Sequence, residues 1–111
     1  MEPLRVWSDE VDFPVTICDR DGVIVGMNQK SIEYFKNDGG IQLLGKSLIE
    51  CHPEPSRSKL LDLLANPRAN TYISQSSEKN LFVHETPWFE NGIYMGFVEI
   101  LVTLPPTFQD S

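Results

Sequence analysis

The sequence contains few basic residues. Nine Lys and Arg stand against sixteen Asp and Glu in 111 residues, which gives a formal charge of −7. Proteins that bind nucleic acids usually concentrate Lys and Arg on one face, and no basic cluster occurs here. Basic segments also attract anionic membrane surfaces. We therefore expect neither a nucleic acid nor a membrane as a partner.

Long apolar runs and abundant cysteine are also missing. No stretch reaches the roughly 20 apolar residues that a membrane-spanning helix needs, and the N-terminus does not have the pattern of a signal peptide. The two cysteines, Cys18 and Cys51, lie far apart and in no metal-binding spacing. We expect a cytoplasmic protein with reduced thiols.

Motifs for catalysis are absent as well. The sequence has no Gly-x-Ser-x-Gly segment and no glycine-rich phosphate-binding loop. His52, His84 and Cys51 match no common zinc spacing. We therefore predict that the chain is not an enzyme and holds no metal site.

The pattern that is present predicts one α+β domain. A hairpin is expected over 14–27, with Gly22 in its turn, and Asn28 is expected to cap the following helix. Short helices follow. Ser56 is expected to cap one that runs to Leu64, with Leu60, Leu61, Leu63 and Leu64 facing inward. Three strands complete the chain, with an Asn91-Gly92 hairpin turn. This order, ββαααβββ, predicts a five-stranded antiparallel sheet with short helices on one face.

The N-terminal segment is predicted to be a short amphipathic helix over 3–11. Leu4, Trp7 and Val11 would form one apolar stripe on it. The stripe either covers the sheet of its own domain or forms a dimer interface, and the sequence leaves both interpretations open. We therefore divide the chain into a flanking helix at 1–11, a domain at 12–104 and a flexible tail at 105–111.

Five short motifs occur in order along the domain: Asp19 with Gly22, Asn28, Gly45-Lys46, His52-Pro53-Glu54, and Gly96. In this order and at these distances they resemble a PAS domain, the small sensor module of bacterial signalling proteins. The resemblance covers 12–104. The stretch from Gly45-Lys46 to Cys51-His52-Pro53 also resembles a narrower PAS subgroup.

The resemblance implies a cavity between the sheet and the short helices. PAS domains bind haem, flavin, carboxylates or fatty acids in this cavity, or bind nothing there. The residues expected to line it are Ile17, Tyr34, Phe35, Leu48, His52, Leu60, Val83 and Phe97. His52 is also a candidate axial ligand for haem b, although the same residue can simply cap the helix that follows it.

The function that the resemblance implies is sensing without catalysis. We expect a regulatory domain of bacterial signal transduction that binds a small ligand or a protein partner and forms a homodimer. Its output would be a signalling protein, which it would contact in trans or as part of a longer chain. Two alternatives stay open: a haem-based gas or redox sensor, and a ligand-free dimerisation module. The sequence does not decide whether a cofactor is present.

Overall fold

The computed structural model describes residues 7–75 and 79–105, which form a five-stranded antiparallel sheet with short helices. The spatial order of the strands is β2-β1-β5-β4-β3. The predicted α+β class and antiparallel sheet are confirmed. The strands are β1 (Val15–Asp19), β2 (Ile24–Met27), β3 (Asn70–Gln75), β4 (Asn80–Glu90) and β5 (Ile93–Thr103). The helices are α1 (Gln29–Tyr34), α2 (Leu48–Cys51) and α3 (Ser56–Ala65), with 3₁₀ turns at Trp7–Asp9, Lys36–Asp38 and Gly40–Leu43.

Both predicted hairpin turns are present. The Asp19 carboxylate accepts backbone N–H bonds from Asp21 and Val23 at 2.9 and 3.0 Å, which closes the turn between β1 and β2. The turn between β4 and β5 places Asn91 and Gly92 at positive φ, 52° and 80°. Asn and Gly tolerate that conformation better than other residues, so the turn chemistry fixes where each pair of strands folds back.

Asn28 joins β2 to α1 and also holds the N-terminal segment. Its Oδ1 accepts the Ser31 N–H, which confirms the predicted N-cap, and the Val15 N–H, both at 2.9 Å. Its Nδ2 donates to the carbonyls of Ser8 and Phe13 at 2.8 and 2.9 Å. One buried amide therefore ties the N-terminal segment and the start of β1 to the start of α1.

Two details of α3 differ from the prediction. The helix starts at Ser56, but the Ser56 hydroxyl makes no capping bond; the Glu54 carboxylate accepts the Ser58 N–H at 2.8 Å instead. Leu61, predicted to face inward, is 45% exposed. The inward side of the helix carries Leu63 and Leu64, because a helix turned to bury both of them points Leu61 towards solvent.

The predicted N-terminal helix is shorter than expected in its described part. Trp7–Asp9 form one 3₁₀ turn, and no helix continues to Val11. The Asn28 amide binds the carbonyls of Ser8 and Phe13, so this backbone is held by tertiary bonds where a helix would need its own. Leu4 lies outside the described residues.

The inner face of the sheet packs against the helices in two apolar clusters. The first contains Cys18, Leu63, Leu64 and Phe97, and the second contains Leu81, Val83 and Leu101, with Phe35 packed on it. Along β5, Phe97 and Leu101 belong to different clusters and Glu99 lies between them. None of the helices in the described ranges is long and apolar enough to cross a membrane.

Candidate functional site

A cavity of about 540 Å³ lies between the inner face of the sheet and the short helices. Strands β1, β2, β4 and β5 form one wall, and α2, α3 and the segment around Phe35 and Leu43 form the other. An adjoining recess of about 550 Å³ shares His52, Leu60, Leu63, Glu85 and Glu99 with it and extends to Asn70 and Tyr72 on β3. The two spaces form one region around the same residues.

The structure brings together most of the residues expected to line a cavity. Phe35, Leu48, His52, Leu60 and Phe97 all lie on its wall. Three other candidates lie elsewhere. Ile17 alternates with the cavity-lining Thr16 and Cys18 and so points to the opposite face. Tyr34 is 39% exposed, and Val83 is buried in the second apolar cluster.

A row of polar residues crosses the inner face of the sheet where the cavity lies. Asn70 is in register with Glu85, Glu85 with Glu99, and Glu99 with Thr16, so the row spans four neighbouring strands. Directly opposed residues have Cβ atoms roughly 5 Å apart, and like charges at such positions are destabilising. The pairing of two glutamates therefore has a cost that requires an explanation.

Three of the four side chains in this row have hydrogen-bond partners. Asn70 Nδ2 donates to Glu85 Oε1 at 2.8 Å, and the Thr16 and Ser31 hydroxyls lie 2.6 Å apart. Across 7–75 and 79–105, the Glu99 carboxylate has no such partner, and it lines the cavity. Its acceptor oxygens are therefore free for a molecule inside the cavity.

The ionisation of Glu99 is strongly perturbed. Removal from bulk water, followed by the negative charge of Glu85, raises the pKa of Glu99 from 4.5 to about 7. Burial also raises the pKa of the neighbouring Cys18 thiol. A raised thiol pKa lowers the fraction of reactive thiolate, so Cys18 is a weak nucleophile at neutral pH.

Sequence analysis did not identify Glu85 and Glu99. Each interrupts an apolar alternation: Glu85 follows Leu81 and Val83 on one face of β4, and Glu99 lies between Phe97 and Leu101 on β5. A charged residue at an inward position was the available signal. It was not decisive, because the pairing of the two residues depends on the β4–β5 register.

His52 lies on the cavity wall with a fixed orientation. Its Nδ1 donates to the Leu48 carbonyl at 2.6 Å, which leaves Nε2 as the free ring nitrogen, as in a histidine that binds a metal. The surroundings do not fit haem, however. The lining of the 540 Å³ cavity includes Glu85, Glu99 and Asp38 and no Lys or Arg that would bind the propionate groups, and the adjoining recess has Lys59 alone of these two residue types. Among the described residues, no three His, Cys, Asp or Glu are placed to share a metal ion.

Comparison with solved structures identifies the fold. The chain is similar to the PAS domain of BvgS from Bordetella pertussis, with a TM-score of 0.66 and 15% identity, covering 92% of this chain and 84% of that one. It is similar to the PAS domain of an HTR-like protein from Haloarcula marismortui, with a TM-score of 0.62 and 17% identity over 91% and 94% of the two chains. The Aer2 receptor of Vibrio cholerae, described as a dual PAS-haem oxygen sensor, aligns with a TM-score of 0.63 and 17% identity over 84% and 95%.

These similarities establish that the chain has the PAS fold, as the sequence motifs predicted. No protein-family model matches the chain, and no curated protein matches it. The resemblance of Gly45–Pro53 to a narrower subgroup therefore stays a prediction.

Proposed function

We propose that this domain is a sensor of signal transduction that binds a small molecule in the cavity and catalyses no reaction. The observation that carries the proposal is the cavity itself, about 540 Å³, bounded by apolar side chains and by the polar row. This volume lies within the range of roughly 300–1,000 Å³ that is usual for small-molecule sites. The fold neighbours support a signalling role, since they include a receptor and a sensor histidine kinase.

The position of the cavity provides a route for a signal. Leu48 and Leu60 reach it from α2 and α3, and Phe97 and Glu99 reach it from β5. A ligand that contacts both walls would change how the helices pack on the sheet. A ligand shifts such an equilibrium by its difference in affinity for the two arrangements, so occupancy would be converted into a change of shape.

The partner in our proposal is a second copy of the chain, in a bacterial cytoplasm, with a signalling protein as the output. Trp7 supports the dimer, because its side chain is 47% exposed, with its ring centroid 6.4 Å from that of Phe13. Ile73, on the sheet face opposite the cavity, is 53% exposed. Contiguous exposed apolar patches mark contact surfaces, and in our proposal Trp7 and Ile73 contribute to such surfaces. Val11, four residues after Trp7, is partly buried and would lie at the edge of the interface.

Native mass spectrometry of the purified protein, with an absorbance scan, tests the proposal. We expect a bound mass of a few hundred daltons that is lost on denaturation. A Soret band would favour the haem-sensor alternative instead. An empty protein whose melting temperature does not respond to a broad ligand library would favour the ligand-free dimerisation module, since ligands that bind the folded state raise that temperature.

A further inference from the structure

We propose that the cavity binds an organic cation, a molecule with an ammonium group held by Glu99 and Glu85 and an apolar body packed against Phe97 and Leu60. This inference rests on the proposed ligand-binding function and names the chemical class of the ligand. The geometry of the polar row carries it.

The first argument is the free hydrogen-bonding capacity in the row. Glu85 already accepts a bond from Asn70, while Glu99 faces the cavity with no partner among the residues that the structure describes. An ammonium group carries three donors and a positive charge. Placed between the two carboxylates, it would satisfy the Glu99 oxygens and relieve the repulsion between residues opposed across β4 and β5.

The second argument is the charge of the surroundings. No Lys or Arg in 7–75 or 79–105 lies within ion-pair distance of Glu85 or Glu99. Lys59 borders the adjoining recess but forms no ion pair with them. When both carboxylates are ionised, an anionic ligand would add to their repulsion and a neutral ligand would leave it in place. A cation offsets that repulsion.

The third argument favours an organic cation over a metal ion. The wall around the two glutamates is largely apolar, with Phe35, Leu48, Leu60 and Phe97 facing the space. Ca²⁺ and Mg²⁺ require about six oxygen ligands, whereas no cluster of three candidate ligands occurs in the described residues. An apolar body with one charged end matches both the walls and the row.

The proposal also predicts a pH dependence. In the free protein the raised pKa of Glu99 keeps part of the population protonated near neutrality, and a protonated carboxyl attracts a cation weakly. Affinity should therefore rise as the pH increases from 6 to 8 and then level off. The other titratable groups lining the two spaces are Glu85 on β4, Cys18 on β1, Tyr72 on β3, Lys59 on α3, Asp38 in its 3₁₀ turn, Cys51 at the end of α2 and His52 after it.

Calorimetric titration with three compounds of one shape tests the inference: phenethylammonium, 2-phenylethanol and 3-phenylpropionate. We expect phenethylammonium to bind the wild-type protein most tightly, with an affinity that rises between pH 6 and 8. Glu99→Gln should weaken it on the order of tenfold or more, since hydrogen bonds to charged groups contribute strongly, and should remove its pH dependence. Glu90→Gln is the matched control, because Glu90 is exposed at the end of the same strand as Glu85.

Two results would overturn the inference. One is equal or tighter binding of the alcohol or the carboxylate, which would leave ligand binding intact but remove the preference for a cation. The other is no binding of phenethylammonium, or of the smaller n-butylammonium, at millimolar concentration. The proposed sensor function is decided separately, by the mass that copurifies with the protein.

Discussion

Replacing Glu99 with Gln should make the protein more stable at alkaline pH and leave it nearly unchanged at acidic pH. Gln has almost the shape of a protonated Glu but cannot ionise. In the folded protein burial and the charge of Glu85 disfavour the ionised form of Glu99. The wild-type protein therefore loses stability when Glu99 ionises, and the variant does not.

The sign follows from proton binding. The pKa of Glu99 is about 7 in the folded state against an ordinary value of 4.5, so between these pH values the folded protein holds a proton that the unfolded chain has released. The contribution of Glu99 to the free energy of unfolding is fully present below about pH 4.5 and is lost as the pH rises through 7. A pKa difference of one corresponds to about 1.4 kcal/mol, so the free energy of unfolding lost through ionisation of Glu99 is at most about 3 kcal/mol. Solvent screening of this partly exposed carboxylate reduces it, and we expect about 1–2 kcal/mol.

Urea unfolding of the wild type, Glu99→Gln and Glu90→Gln at pH 5 and pH 8 measures this difference. Glu90 is exposed, so its substitution removes the same formal charge from a chain of net charge −7 without changing the cavity. We expect Glu99→Gln to gain its advantage over Glu90→Gln only at pH 8. If the two variants differ by the same free energy at both pH values, the assignment of a raised pKa to Glu99 is wrong.

Three further predictions concern the frame of the site. Asn28→Ala should lower the free energy of unfolding by about 2–4 kcal/mol, because it removes four hydrogen bonds from a buried position. Chemical denaturation measures this loss, and Asn37→Ala at an exposed position is the control. Gly96→Ala should prevent stable folding, since a Cβ there would overlap the Cys18 carbonyl oxygen on β1. In Gly26→Ala the new Cβ meets only ordinary contacts, so this variant is the control. Melting followed by circular dichroism compares the melting temperatures of the two variants. Trp7→Ala should weaken self-association without unfolding the domain, and an unchanged dimer in sedimentation would exclude Trp7 from the interface.

The parts of the fold that the sequence predicted are those determined by local chemistry. The Asn91-Gly92 turn and the Asn28 cap depend on residues within a few positions of each other, and the sequence predicts both. The polar row could not be predicted in the same way. Glu85 and Glu99 are opposed because two strands of eleven residues pair in one register, and that register depends on packing across the whole sheet.

In the N-terminal segment the local sequence pattern predicts a helix that tertiary contacts replace. Its apolar spacing at Trp7 and Val11 is typical of a helix, and the residues around them do not forbid one. The Asn28 side chain decides the outcome by binding the carbonyls of Ser8 and Phe13, and this competitor lies twenty residues from Ser8 in sequence. A short helix has little stability of its own, so tertiary bonds readily replace it.

The stability cost of Glu99 and the position of the cavity favour the same functional interpretation. An apolar residue at this position in β5 would join the two clusters that Phe97 and Leu101 belong to and would stabilise the sheet at neutral pH. The glutamate instead leaves a free acceptor next to an open volume. A ligand that neutralises it would stabilise the folded state by an amount that grows with its concentration. That stabilisation would act on β4, β5 and the facing helices together, which are the elements whose relative packing a ligand would change under the proposed function.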